Sequence, residues 1–213
     1  MSEFEGCKLY YFEPLLGHPT YGRAEPIRLL LEDAGLKYEY IRIAFKDWPK
    51  TKENLIDNGS RAPTLPYITT KNGKLYNTMV ASMRAIAKTL GSEKKYYPED
   101  AEDQYLADVY CDLSLDWMNK LLSVKLFGQD EAAKKDYMDQ YAPKQLANWN
   151  NILNDKNGPY LLGDEISYSD FFLYNMLENE GFVDNLDAEK YPHLVTFIET
   201  FKNRPNLKKY LAA

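Results

Sequence analysis

The apolar positions in the first part of the chain switch between two periods. Residues 8–12 form a short aromatic and apolar run and residues 38–43 alternate, so both are predicted to be strands. Between them Ile27, Leu30, Leu31 and Ala34 fall at helical spacing, with Pro26 in the first turn and Gly35 where a C-terminal cap belongs. A strand, a helix and a strand in succession imply parallel pairing. Residues 67–70 and 75–76 then flank Asn72-Gly73, a dipeptide suited to a tight hairpin because both turn positions need positive φ. A helical pattern over residues 79–90 closes at Gly91.

The strand signal stops there. Residues 92–103 are charged, contain Tyr96-Tyr97-Pro98 and read as a linker. Beyond them Tyr105, Leu106, Val109, Leu113, Trp117 and Leu121 repeat at helical spacing, and residues 137–153 do so again, with Pro143 expected to bend the second helix. Ser167 and Asp170, three apart between apolar residues, make a capping box, a folding signal without chemistry. The order β, α, β, α or loop, β, β, α is that of a thioredoxin-like domain. The expected fold is therefore an α/β thioredoxin-like domain over 1–91, a linker over 92–103 and an all-α helical domain over 104–213.

Composition narrows the function more than the fold. The 213 residues, 45% hydrophobic and 27% charged, suit a folded globular protein. A net charge of -6 repels phosphate backbones and anionic lipid surfaces, so neither nucleic acid nor membrane is an expected partner. No apolar stretch approaches the roughly 20 residues of a membrane span, and residues 1–6 carry acids where a signal peptide has basic and apolar regions. The cytoplasm is the expected compartment. Cys7 and Cys111 fit neither a redox pair nor a ligand set, and His18 and His193 are too few for a histidine metal site, so no metal is expected.

Several separated motifs carry a family likeness. Leu9-Tyr10-Tyr11-Phe12 followed by Gly22-Arg23-Ala24-Glu25 and Ile27-Arg28-Leu29, then Trp48 and Lys52, then Leu65-Pro66-Tyr67-Ile68, and finally Gly163-Asp164, Ser167 and Asp170-Phe171 resemble, in that order, the cytosolic glutathione transferases. The chain looks most similar to the tyrosine-type mu and sigma classes. Each motif alone occurs as ordinary structure; their shared order is specific.

The resemblance implies glutathione as co-substrate, a small hydrophobic electrophile as second substrate and a homodimer. It puts the catalytic tyrosine just before Phe12, at Tyr11, with Tyr10 facing the other side of the strand. Arg23 resembles a helix-start arginine near the thiol, and Trp48 and Lys52 resemble the pair that holds the glycyl carboxylate. Leu65 and Pro66 resemble the cis-proline turn whose backbone pairs with the cysteinyl part; the residues alone do not choose between Pro63 and Pro66. Of Asp108, Asp112 and Asp116, spaced by four, the pattern gives Asp116 to the γ-glutamyl amine of the neighbouring subunit, and the other two read as solvated acids.

Two departures stand out. The Gln-Ser pair usual at the start of the next helix is absent, and either Thr78-Met79 or Asn77-Thr78 takes its place. Residues 13–21 are longer than the family's segment there and hold Pro14, Leu15, Leu16, His18, Pro19 and Tyr21; a wall or lid over the electrophile pocket and a surface ornament are equally good readings. The expected activity is conjugation. The alternatives are a non-catalytic binding protein of the same fold, or a glutathione-dependent isomerase or peroxidase. Thiol-disulfide exchange would need a cysteine after the first strand, and Cys7 precedes it.

Overall fold

A computed structural model describes residues 2–14, 17 and 22–212. Its first elements are β1 (Cys7–Phe12), α1 (Glu25–Ala34), β2 (Tyr38–Ile43), α2 (Trp48–Asp57), β3 (Tyr67–Thr69), β4 (Leu75–Asn77) and α3 (Met79–Lys94). The strands form one sheet in the order β2-β1-β3-β4. β1 and β2 are parallel, as a strand-helix-strand unit requires, while β3 runs antiparallel to β1 and β4 to β3. This is the expected thioredoxin-like arrangement.

The two-residue period of β1 explains its burial. Cys7, Leu9 and Tyr11 point into the core, whereas Lys8 is exposed and Tyr10 and Phe12 are half-buried. On α1 the expected stripe of Ile27, Leu30, Leu31 and Ala34 is buried, and Gly35 ends the helix at φ 71°, its N–H donating to the Glu32 carbonyl at 2.9 Å. α1 packs on α3 and on the last helix of the chain, α9 (Pro205–Leu211).

Two turns differ from expectation. The hairpin is not the two-residue type: Thr70 N–H donates to the Lys74 carbonyl, Gly73 N–H to the Thr70 carbonyl, and Gly73 alone of the pair has positive φ. One left-handed residue after a type I turn suffices for a three-residue loop. In α3, Gly91 has φ 61° and ψ -159°, so the regular helix breaks where the pattern predicted, although helical turns resume up to Lys94.

The second unit contains α4 (Ala101–Leu121), α5 (Glu131–Asp136), α6 (Ala142–Lys156), α7 (Tyr168–Glu180) and α8 (Pro192–Lys202). Asp100 caps α4 through the N–H groups of Glu102 and Asp103, so this helix begins inside the stretch read as linker. Its buried face is also not the one the spacing suggested: Ala107, Tyr110, Cys111, Ser114, Trp117, Met118 and Leu121 are buried, while Tyr105 and Leu113 are exposed. Pro143 does not bend a helix. It lies in the first turn of α6, after a π-helical turn at Tyr137–Tyr141.

The capping box is present at Ser167 and Asp170, and the buried Asp170 accepts the Ser167 N–H at 2.7 Å and the Leu161 N–H at 2.9 Å. The chain divides into compact units of Met1–Tyr97 with Arg204–Ala213, and Pro98–Asn203. The last segment thus leaves the helical unit that was expected to run to residue 213. Asp33 on α1 explains why: it receives Arg204 through two nitrogens at 2.9 and 2.6 Å and the Tyr96 hydroxyl at 2.7 Å, while its carbonyl accepts from Asn206 at 2.9 Å.

Candidate functional site

The strand registers bring the end of β1 beside β2 and close to the ends of β3 and β4. Tyr11 on β1 lies beside Arg42 on β2. Tyr10 pairs with Tyr67 on β3, and Tyr67 with Asn77 on β4; Tyr11, Pro66 and Thr78 are each next in the chain to one of these paired residues. The Leu65-Pro66 peptide is cis, the assignment favoured over Pro63. α3 begins at Met79, which is buried; Thr78 immediately precedes it, exposed and at φ 67° and ψ 145°. A β-branched residue at positive φ is strained, and strain of this kind is held where a backbone must present itself to something.

Tyr11 is 5% exposed. Its phenol oxygen accepts the Arg23 N–H at 2.9 Å, one turn ahead of α1. Gly22 makes that approach possible: at φ 99°, a Cβ there would lie 2.4 Å from the phenol oxygen. Burial pushes the phenol above its ordinary value, while the Arg23 N–H and then the Arg23 and Arg42 guanidiniums pull it down. The arrangement keeps the hydroxyl protonated at neutral pH and polarised toward donating. Tyr10 takes no part in it, its ring stacked on Tyr67 at 4.3 Å.

At the β2 side, the Phe12 ring stacks on Phe45 at 4.2 Å and meets the Trp48 ring edge-on at 6.1 Å. Trp48 is half-buried at the start of α2, and Lys52, one turn on, is exposed. Arg23 is half-buried. These groups and Leu65, Pro66, Thr78 and Met79 all belong to the first unit, and Asp116 belongs to the second, exposed on α4. Asp108 is not the solvated acid expected, since it accepts the hydroxyl of buried Tyr168. Residues 15, 16 and 18–21 of the long segment after β1 lie outside the described residues.

Sequence reading missed two residues here. Gly22 appeared only as part of a motif, although a glycine before the helix-start arginine is a signal for close approach. Arg42 left no signal, because its place beside Tyr11 depends on a register that the strand pattern does not fix. Cys7 and Cys111 are both free and buried, and burial pushes the Cys7 thiol up to about 11, away from any nucleophilic role at neutral pH. Among the described residues there is no group of acids, cysteines and histidines placed to hold a metal, and no helix long and apolar enough to cross a membrane.

Two family models match the chain, the glutathione S-transferase N-terminal domain over residues 14–104 and the C-terminal domain over 115–213. A class-mu 26 kDa glutathione S-transferase of Fasciola hepatica is 31% identical over 193 residues, 89% of this chain and 84% of the relative. Glutathione S-transferase 2 of Onchocerca volvulus is 30% identical over 207 residues, 95% and 90% of the two chains. Among solved structures, a pi-class glutathione S-transferase of Onchocerca volvulus superposes with a TM-score of 0.78 at 27% identity, covering 97% of this chain and 92% of that one. A monomeric glutathione S-transferase of Necator americanus superposes at 0.77 and 25% identity, covering 97% and 96%.

Proposed function

Because the chain belongs to the glutathione S-transferase family, we propose that it conjugates the glutathione thiolate to small hydrophobic electrophiles, with the Tyr11 hydroxyl stabilising that thiolate. The observation that carries the reading is the Tyr11 phenol, held at the end of β1 by the Arg23 N–H at 2.9 Å. A phenol whose oxygen already accepts one hydrogen bond is a stronger donor through its proton. Donation to sulfur favours the thiolate and lowers the thiol pKa.

The neighbouring strand ends suit the rest of the tripeptide. Leu65 and Pro66 offer backbone to its cysteinyl part, and Trp48 with Lys52 meet its glycyl carboxylate. Thr78 and Met79, at the N-terminus of α3, meet the γ-glutamyl carboxylate, where helix N–H groups supply what the missing Gln-Ser pair does not. Asp116, lent by a second copy across a two-fold axis, meets the γ-glutamyl amine. A similar structure is monomeric, so light scattering decides this part. A detoxifying role in the cytoplasm follows from the same reading.

Magnitudes limit what Tyr11 does alone. Lowering a thiol from about 8.5 to about 6.5 raises its thiolate fraction at neutral pH roughly 25-fold. The accompanying loss of nucleophilicity is roughly 8-fold, so the net gain is about 3-fold. Holding the thiolate against the electrophile supplies the rest. The thiol proton leaves to solvent, and the sulfur bonds to the electrophilic carbon as a leaving group departs or a double bond opens and takes up a proton.

The test is Tyr11→Phe, assayed with glutathione and an aromatic halide beside binding to immobilised glutathione. Binding should persist while the bound thiol's pKa rises and turnover near neutral pH falls about 3-fold, the net gain that the lowered thiol pKa gives. If Tyr10→Phe produced that loss and Tyr11→Phe did not, the two strand faces would be exchanged. Binding without turnover in the unaltered protein would make it a glutathione-binding protein.

A further inference from the structure

We propose that Arg42 is a positioning residue for Tyr11, fixing the strand end and the charge against which the Tyr11 hydroxyl works; this rests on the reading of Tyr11 above. In a parallel pair, adjacent residues share a face, so the Tyr11–Arg42 register puts both side chains on the same side of the sheet. Arg42 Nη1 donates to the Phe12 carbonyl at 2.8 Å, which holds the guanidinium at the end of β1. The Tyr40 ring also restrains it, its centroid 4.2 Å from the guanidinium carbon. A side chain held by a carbonyl on one side and a ring on the other loses the freedom that carries most arginines into water.

Two guanidiniums act on Tyr11 in the same sense. Arg23 approaches from the start of α1 and Arg42 from β2, both favouring negative charge on the phenol oxygen. The neighbouring Glu25 pairs with Arg28 at 2.8 Å and also feels the Arg42 charge. Burial keeps the phenols of Tyr38, Tyr40 and Tyr210 well above their ordinary value, so they add no negative charge at neutral pH. Both cations therefore favour negative charge at the Tyr11 oxygen. Arg42 touches neither the thiol nor the electrophile in this reading; it acts through Tyr11.

The test separates charge from hydrogen bond. Arg42→Gln keeps a donor for the Phe12 carbonyl and removes the charge, whereas Arg42→Lys keeps the charge. With glutathione bound, the ultraviolet absorbance of the thiolate is titrated in each variant, alone and combined with Tyr11→Phe. Arg42→Gln should raise the thiol pKa and lower kcat at neutral pH by up to about 3-fold, since an effect carried through Tyr11 does not exceed the loss of its hydroxyl. The KM for glutathione should hold, and Arg42→Lys should restore most of the loss. In the Tyr11→Phe background Arg42→Gln should move the thiol pKa no further.

An unchanged pH profile in Arg42→Gln overturns the proposal, and so does a shift of equal size with and without the Tyr11 hydroxyl. Should Arg42→Gln not fold, Tyr40→Leu takes its place, since it leaves Arg42 but removes the ring beneath it. A smaller shift in the same direction supports the proposal, and no shift overturns it. If Tyr11→Phe alone leaves the thiol pKa where it was, the reading of Tyr11 falls and this inference with it. If Tyr11→Phe moves the pKa and neither Arg42→Gln nor Tyr40→Leu does, only the inference falls.

Discussion

Among the described residues each unit buries one glutamate beside a basic partner, at opposite ends of a helix. In the first unit Glu25 begins α1, where the helix dipole favours a carboxylate, and it is 2% exposed. Arg28 reaches one oxygen at 2.8 Å and the Tyr210 hydroxyl the other at 2.7 Å; burial still pushes its carboxyl above the ordinary range, with Arg28 the main opposing influence. In the second unit Glu180 ends α7, where the dipole opposes its charge, and its side chain is wholly buried. It needs more partners and has them. Trp117 Nε1 donates to it at 2.9 Å, the Tyr137 hydroxyl donates to the same oxygen, and Lys125 pairs with the other at 3.0 Å. Glu25 stands two residues from Arg23 and so beside the chemistry; Glu180 gathers α4, α7 and the segments between α4 and α6, and no site residue of the first unit takes part.

If that contrast is right, the largest effect on stability comes from the second unit and should leave the thiol untouched. Glu180→Ala takes the acceptor from the buried Tyr137 hydroxyl and the counter-charge from Lys125, leaving the Trp117 indole N–H only the Tyr137 oxygen at 3.0 Å, so the unfolding free energy should fall by about 3–5 kcal/mol in chemical denaturation. The thiol pKa of the folded fraction should not move. A shift there would mean that Glu180 serves the chemistry as well.

Gly22→Ala should do the reverse. Its φ of 99° and the 2.4 Å approach to the Tyr11 oxygen leave no room for a Cβ, so the phenol must swing away. Stability should drop by about 1–3 kcal/mol, but kcat/KM should fall at least as far as in Tyr11→Phe, about 3-fold. Retained activity would place the working tyrosine elsewhere.

How much of this was legible in the sequence depended on how local each determinant is. The strand, helix and strand of residues 7–43 and the Ser167–Asp170 box were legible, because apolar period and capping chemistry act within a few residues. The buried face of α4 was not. Tyr105 and Leu113 are apolar enough to belong to a core stripe yet lie exposed, and spacing alone does not say which stripe a partner covers. The hairpin turn was located but mistyped, since Asn72-Gly73 serves a three-residue loop as well as a two-residue one. Tyr11, Trp48 and Pro66 were found through motif order, whereas Arg42 needed the strand register and α9 needed the Asp33–Arg204 pair, 171 residues apart.

The smallest expected effect tests whether α9 matters to the chemistry or only to the fold. Tyr210 on α9 supplies one of the two hydrogen bonds to the Glu25 side chain, and its ring also lies 5.2 Å from the Arg28 guanidinium. Tyr210→Phe keeps the ring and removes the hydroxyl, leaving one carboxylate oxygen short of a donor, so stability should fall by about 1–2 kcal/mol. Arg28 still holds Glu25 at 2.8 Å, and the first turn of α1 should keep its place. The Arg23 N–H should then stay on the Tyr11 oxygen, and kcat should change less than about twofold, because no hydrogen bond to the phenol is lost. Thermal melting and the pH profile of kcat, measured together, check both halves. A loss of activity matching that of Gly22→Ala would show that the end of the chain governs the start of α1, and that the buried glutamate of the first unit serves the chemistry through its position.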